Sequence, residues 1–296
     1  MEKKIFTIAL IIGLQLSLTA GAQNHEQVAL RVPGFVRPLV EKWVAEYHKT
    51  NTNVDFQFVS GRSQDNDNTM SFTIDNDAVA FARFAVLPVT TEQSEAARLI
   101  GTHRLNAKNL KKLFFVKNEL DDEQKESKAE QQLHIITGNS QQSASRVYAA
   151  HFKQETANYK GKKISGDDNF LNNAIQRDPL GITVNSLSNI FDLKSRKVRQ
   201  GLVLLPLDID KQGRQVLSEG RLDDILAQLE DQQYNEIPIG NVALAYNRGN
   251  QVLNDFAHWI LVNGTKYVHE FGLLQLPQKE LTASIRRTEQ KELAQK

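Results

Sequence analysis

The chain has 296 residues, with 36 Lys and Arg against 35 Asp and Glu for a formal net charge of +1, and it contains no cysteine. That balance leaves no overall field to attract nucleic acid, and the missing cysteine excludes disulfide frameworks, thiolate metal sites, a cysteine nucleophile and a lipidated-cysteine anchor. A chain of this length can bury one large or two medium cores without covalent staples.

Lys3 and Lys4 precede an apolar stretch over residues 5–18, and Ala20, Gly21 and Ala22 follow as a small-residue cleavage site. This is the pattern of a secretory signal over residues 1–22, with Gln23 as the first mature residue. The stretch is interrupted by Gln15 and falls short of the roughly 20 apolar residues that a bilayer span requires. The expectation is an exported, soluble periplasmic protein that is not a lipoprotein.

Residues 29–32 read as a short strand, Pro33 and Gly34 as a turn, and residues 35–48 as a helix. Val36, Leu39, Val40, Trp43, Val44 and Tyr47 recur there at helical spacing. Residues 54–59 form the next strand, followed by a polar loop to Thr69. The run 77–89 is apolar apart from Arg83, as expected of a central strand buried on both faces and ended by Pro88. Asn106 can cap a helix through Leu110, Leu113 and Phe114. Residues 119–132 are highly charged, either a solvated helix or an excursion. Residues 133–137 read as a strand, 138–142 as a polar turn and 143–152 as a helix. Strands at 180–184, 202–207 and 237–246 and a helix at 253–262 follow. The charged tail, 279–296, is a surface helix or a frayed end. Strand and helix patterns alternate throughout, which predicts an α/β fold with mainly parallel sheets flanked by helices.

Three turns repeat one device, a strand running through a polar turn into a helix start. They contain Gly34 and Phe35; Gly61, Arg62 and Ser63; and Ser140 leading to Ser143, Ser145 and Arg146. Helix starts expose N–H groups and positive dipole potential, so these nine residues are the candidate ligand-binding set for an anion. Arg62 and Arg146 would add bidentate charge-assisted bonds. Taken singly, each turn is ordinary cap and turn chemistry, and only convergence would make a site. Arg83, in its apolar run, must find a partner or point into a solvated cleft. The seven histidines are scattered without a pair at metal-ligand spacing, so neither metal nor cofactor is expected. No strained Gly-x-Ser-x-Gly elbow, Ser-x-x-Lys or spaced carboxylate pair is present, and nothing points to an enzyme. Asn263, Gly264 and Thr265 match a glycosylation acceptor, with the glycine more simply a helix C-terminal cap.

Phe256, Ala257, His258, Trp259 and Ile260, with Gly264, Phe271, Gly272 and Leu276, are similar to the closing helix and turn of the periplasmic phosphate-binding protein family of ABC transporters. The helix at Asn109 to Phe114 resembles the one opening that family's second lobe, and Pro179 to Thr183 resembles its Gly-Ile-Gly-Tyr strand. The resemblance implies a two-lobed type II periplasmic binding protein fold with two crossovers. Lobe I would comprise 23–88 plus 237–278, and lobe II 89–236. It further implies inorganic phosphate or a related oxyanion bound between the lobes, an inner-membrane ABC permease as partner, and a monomer. The binding motifs are less faithful than the scaffold. Val32 and Pro33 replace a Gly-Ser pair, and Ser60 to Ser63 keeps one Gly and the Ser of a Gly-Gly-Ser-Gly turn. Ser143 to Arg146 resembles Ser-Gly-Thr-Arg with Ala for Gly. The family's acidic acceptor for the proton of hydrogen phosphate has no clear counterpart near residues 73–77. The alternative reading is an envelope interaction or scaffold protein of the same fold that has lost small-anion binding, using 119–132, the basic residues 160–163 and the tail as partner surface.

Overall fold

The computed structural model describes residues 25–60, 66–75, 77–116 and 130–289. The expected signal over 1–22, most of 119–132 and the last residues of the tail lie outside the described residues. Among the described residues, no helix is long and apolar enough to cross a membrane.

Seven strands lead: β1 (Glu26–Arg31), β2 (Val54–Val59), β3 (Thr69–Thr73), β4 (Val79–Thr91), β5 (His134–Gly138), β6 (Lys162–Ile164) and β7 (Gly181–Ser186). After them come a small hairpin of β8 (Phe191–Asp192) and β9 (Lys197–Val198), then β10 (Leu202–Leu204), β11 (Ile239–Tyr246) and β12 (Leu274–Gln275). The main sheet runs β2-β1-β3-β11-β4-β7-β5-β6, with β10 and β12 also paired to β4. It is made of two groups: β1 pairs in parallel with β2 and β3, and β5 pairs in parallel with β6 and β7. β4 and β11 run antiparallel to their neighbours and join the groups.

β4 serves both groups. Residues 79–85 pair with β11, and residues 86–90 pair with β7. The strand was expected to end at Pro88, yet it continues to Thr91. Along a strand successive N–H groups alternate sides. Val86 donates to the carbonyl of Pro238, so the donor that Pro88 lacks would point to the same edge, in the gap between β11 and β10. The Pro88 carbonyl still accepts there from Leu205. Arg83 takes the paired option: its Nε donates to the carbonyl of Gln275 at 3.0 Å, where β12 joins β4.

The helices are α1 (Arg37–His48), α2 (Glu95–Ile100), α3 (Ala107–Phe114), α4 (Ala144–His151), α5 (Asn169–Gln176), α6 (Leu187–Ile190), α7 (Lys211–Glu219), α8 (Leu222–Asp231), α9 (Gln251–Trp259) and α10 (Gln278–Glu289). The α1 stripe buries Leu39, Val40, Trp43 and Tyr47. Trp43 meets Phe81 edge to face at 5.0 Å, and its Nε1 donates to the carbonyl of Gly264 at 2.8 Å. A Cβ at Gly264 would sit 2.8 Å from that nitrogen, so indole contact explains the glycine. The expected cap role belongs instead to Gly272, whose φ of 73° lies in the left-handed region. In the other group, Phe114, Phe115, Tyr148, Phe152 and Tyr159 form a ring cluster with centroids 4.4 to 6.3 Å apart. The tail forms α10 up to Glu289 and docks, with Ser284 and Thr288 buried and Leu281 and Ile285 packed on the core.

Candidate ligand-binding cleft

A cavity of about 1360 Å³ lies between the two strand groups. One wall is the β1 end with the turn through Gly34 and Phe35, plus Ser71 to Thr73, Asp75, Asp77 and Arg248. The other comprises Ser140, Gln142, Ser143, Arg146 and the loop Gly166 to Asp168. Arg31, Arg37, Arg146 and Arg248 share this lining with Asp75, Asp77, Asp167 and Asp168. Cations and carboxylates therefore balance among the described residues, and the lining has no surplus positive charge.

The start of α4 is built as its sequence dictates. Ser143 occupies the N-cap, and its Oγ accepts from the Ser145 N–H at 3.2 Å. The same hydroxyl donates to Asp168 Oδ1 at 2.6 Å, and the Ala144 N–H donates to Asp168 Oδ2 at 2.6 Å. A carboxylate of the chain itself thus sits at the helix start. Ser145 lies behind the wall, fully buried, with Oγ accepting from the Gly138 N–H and its carbonyl from the Tyr159 hydroxyl. Ser140 lines the cavity, and its Oγ accepts from the Gln142 N–H at 3.2 Å to close the turn.

Across the cavity, Phe35 is a packing residue, its ring 4.8 Å from that of Phe84. Gly34 has a closer neighbour: a Cβ there would lie 1.6 Å from Asp167 Oδ2, so glycine leaves room for that carboxylate in its present position. Gly61, Arg62 and Ser63 fall outside the described residues, while Val59 and Ser60 beside them line the cavity. Of the nine candidates, Gly34, Phe35, Ser140, Ser143 and Arg146 share one cavity, and Ser145 faces away from it.

Two contacts bridge the walls. Arg146 Nη1 donates to Asp75 Oδ1 at 2.8 Å and to the Gln141 carbonyl at 3.0 Å. Gln142 accepts from the Ile74 N–H at 3.0 Å and donates to Thr73 Oγ1 at 3.3 Å. The Arg146 guanidinium, then the Thr73 hydroxyl, hold the Asp75 carboxyl below the usual range. Burial acts oppositely on Asp168 and pushes it up to about 6, against the bonds from Ser143 and Ala144.

Asp168 is held from below by a satisfied network. Asn185 donates to the Asp168 carbonyl and to Asn172 Oδ1, and accepts from Asn189 and from the Ser186 N–H. Buried amides with every partner supplied fix one geometry. Asp167, Asp168, Asp75 and Gln142 escaped the sequence reading. The signal for the first two is a glycine and two aspartates directly before the helix at Asn169. Among the described residues, no cluster of His, Asp or Glu could hold a metal ion.

No family model matches the chain, and no curated protein matches it in sequence. Solved structures do match. An ABC-type phosphate transport receptor from Vibrio cholerae is similar with a TM-score of 0.51 at 10% identity, covering 84% of this chain and 100% of its own. A substrate-binding protein assigned to phosphate ABC transport, with phosphate bound, from Clostridium perfringens has a TM-score of 0.50 at 12% identity, covering 85% and 100%. The fold is the type II solute-binding fold. At such identities the likeness is one of fold alone, and the fold agrees with the sequence expectation.

Proposed function

We propose that this chain is an exported periplasmic solute-binding protein, taking phosphate or a related oxyanion in the cleft and delivering it as a monomer to an inner-membrane ABC permease. It is a binding protein and not an enzyme. The observation that carries the reading is the cavity itself, about 1360 Å³ in volume, lined by four arginines and four aspartates among other residues and bridged by Gln142 and Arg146 to Thr73, Ile74 and Asp75. Ligand sites of two-part α/β folds lie in such crevices, and contacts to both walls drive closure. In this reading 23–88 with 237–278 forms one lobe and 89–236 the other, and the chain crosses between them within β4 and at Pro238. A receptor for phosphate transport shares this fold, which makes oxyanions the first ligand class to test.

The scaffold alternative draws support from one observation, that the donors of Ser143 and Ala144 are already taken by Asp168. Thermal unfolding separates the two. The exported form, stripped of ligand by partial unfolding and dialysis, is melted with phosphate, sulfate or chloride. At a hundred times its dissociation constant a ligand stabilises by roughly 2.7 kcal/mol, a shift of several degrees for a chain of this size. A rise with phosphate that disappears in Arg146→Ala is the expected outcome, and no shift with any oxyanion defeats the reading.

A further inference from the structure

Resting on the oxyanion reading, the geometry points to the loop Ser165 to Asp168 as an internal competitor: its Asp168 carboxylate occupies the anion site at the α4 start, and an incoming oxyanion must displace it. The argument starts from donors. A helix start offers an anion its first backbone N–H groups and its cap hydroxyl. At α4 the Ala144 N–H and the Ser143 hydroxyl are engaged at 2.6 Å each by the two oxygens of one carboxylate, that of Asp168, which is 6% exposed. The bidentate grip is the one a tetrahedral oxyanion would use.

Asp167 extends the same loop toward the facing wall. Its Oδ1 accepts from the Asn169 N–H at 2.8 Å, and its Oδ2 lies where a Cβ of residue 34 would be. A side chain at position 34 would require the Asp167 carboxylate to turn aside. One four-residue loop therefore places a carboxylate at two of the turns that line the cavity. Both positions are set by the fold: Asp168 by the Asn185 network beneath it, Asp167 by the missing side chain of Gly34.

Displacement lowers the apparent affinity by the fraction of molecules in which the loop has withdrawn. Removing or neutralising the carboxylate should raise affinity. Sulfate is the clean probe, because it stays fully ionised across the working range. Its dissociation constant is measured by calorimetry at pH 7.5 for the exported form and for Asp168→Asn and Asp168→Ala. Asp168→Asn keeps the shape and a carbonyl acceptor for Ala144, so it reports even where the alanine variant folds poorly.

The expected result is a gain of about tenfold or more in sulfate affinity for either variant. Lowering the pH from 8 to 5.5 should tighten sulfate binding to the unmodified chain and leave Asp168→Asn unchanged. The charged and titratable groups facing Asp168 are Asp167 on its own loop, Tyr159 beneath α4, Arg146 with Asp75 at the α4 bridge, and Arg31, Arg37 and Arg248 on the facing wall. All of them persist in Asp168→Asn, which isolates the one carboxylate. Equal sulfate affinity in all three proteins, with binding still abolished by Arg146→Ala, overturns the competitor and spares the oxyanion reading. Absence of any oxyanion binding in every variant overturns both.

Discussion

The segment between β7 and β11 and the strand group of β1 touch in a second place away from the cleft, and the two contacts differ in kind. At the cleft, Arg146 and Asp75 pair with 39% and 51% of their side chains exposed, while Gln142 makes half-buried bonds to the Ile74 N–H and the Thr73 hydroxyl. Away from it, Arg196 is only 22% exposed. It donates to the carbonyls of His269 and Glu270 at 2.8 and 2.9 Å while its other edge holds Asp223. Glu230 accepts from His269 Nε2 at 2.8 Å and from the Gln275 N–H. Arg196 thus adds donors at the last turn of the 3-10 helix Thr265–Phe271, where the His269 carbonyl also accepts from the Gly272 N–H. The difference teaches which contact can yield. Opening the cleft breaks one exposed ion pair and two half-buried hydrogen bonds, whereas parting the second contact takes one guanidinium from two backbone carbonyls and a carboxylate at once, and Glu230 from His269 and Gln275.

The sharpest way to separate these regions is pH, since Asp168 makes the cleft side carry a buried charge. Its carboxyl, pushed up to about 6 in the fold, holds its proton more tightly than in the unfolded chain. The resulting stability is full below the ordinary carboxylate range and is lost as pH rises through 6, by about 3 kcal/mol at most. Urea unfolding at pH 4.5 and 7.5 should show this fall, and Asp168→Asn should flatten it. Asp75, held low, has the opposite sign: its contribution is present near neutrality and is lost on acidification, and it is small because the pair is half exposed.

Next in size, Arg196→Ala should destabilise by about 1 to 2 kcal/mol, because the Glu270 carbonyl and Asp223 lose this donor while the His269 carbonyl keeps the Gly272 N–H. Thermal melts read this directly, and a change under a few tenths would erase the contrast between the two contacts. Arg146→Ala is expected to lose less than about 1 kcal/mol. In small-angle scattering Arg146→Ala should widen the molecule, while Arg196→Ala should not. Gln142→Ala leaves the half-buried Ile74 N–H without its acceptor and should cost about 1 kcal/mol, read by the same melts.

The scaffold was legible because periodicity reports burial. The α1 stripe, the apolar run of β4 and the cap at Asn106 each follow from patterns that local physics enforces. Pro88 misled because the cost of a missing donor depends on which edge it faces, a fact of topology and not of composition. The cleft was only half legible. Ser143 and Arg146 carry a turn signature, but their partners Asp168 and Asp75 stand 25 and 71 residues away in sequence. Ser145, alike in sequence to Ser143, points the other way, since neighbouring residues at a helix start face different sides. Gly34 looked like a turn residue, yet what it accommodates is a carboxylate from the opposite wall.

The shared strand β4 has a mechanical meaning. Any rotation of one strand group against the other would load the backbone torsions where β4 passes from β11 to β7, close to Val86, Leu87 and Pro88, together with the chain at Pro238 beside it. Proline fixes its own φ near −65° and restricts the residue before it, so few torsions remain free at that crossing. The second passage between the groups carries a proline as well, Pro238, whose carbonyl accepts from Val86 of β4, so the two connections are stiffened at adjoining points of one seam.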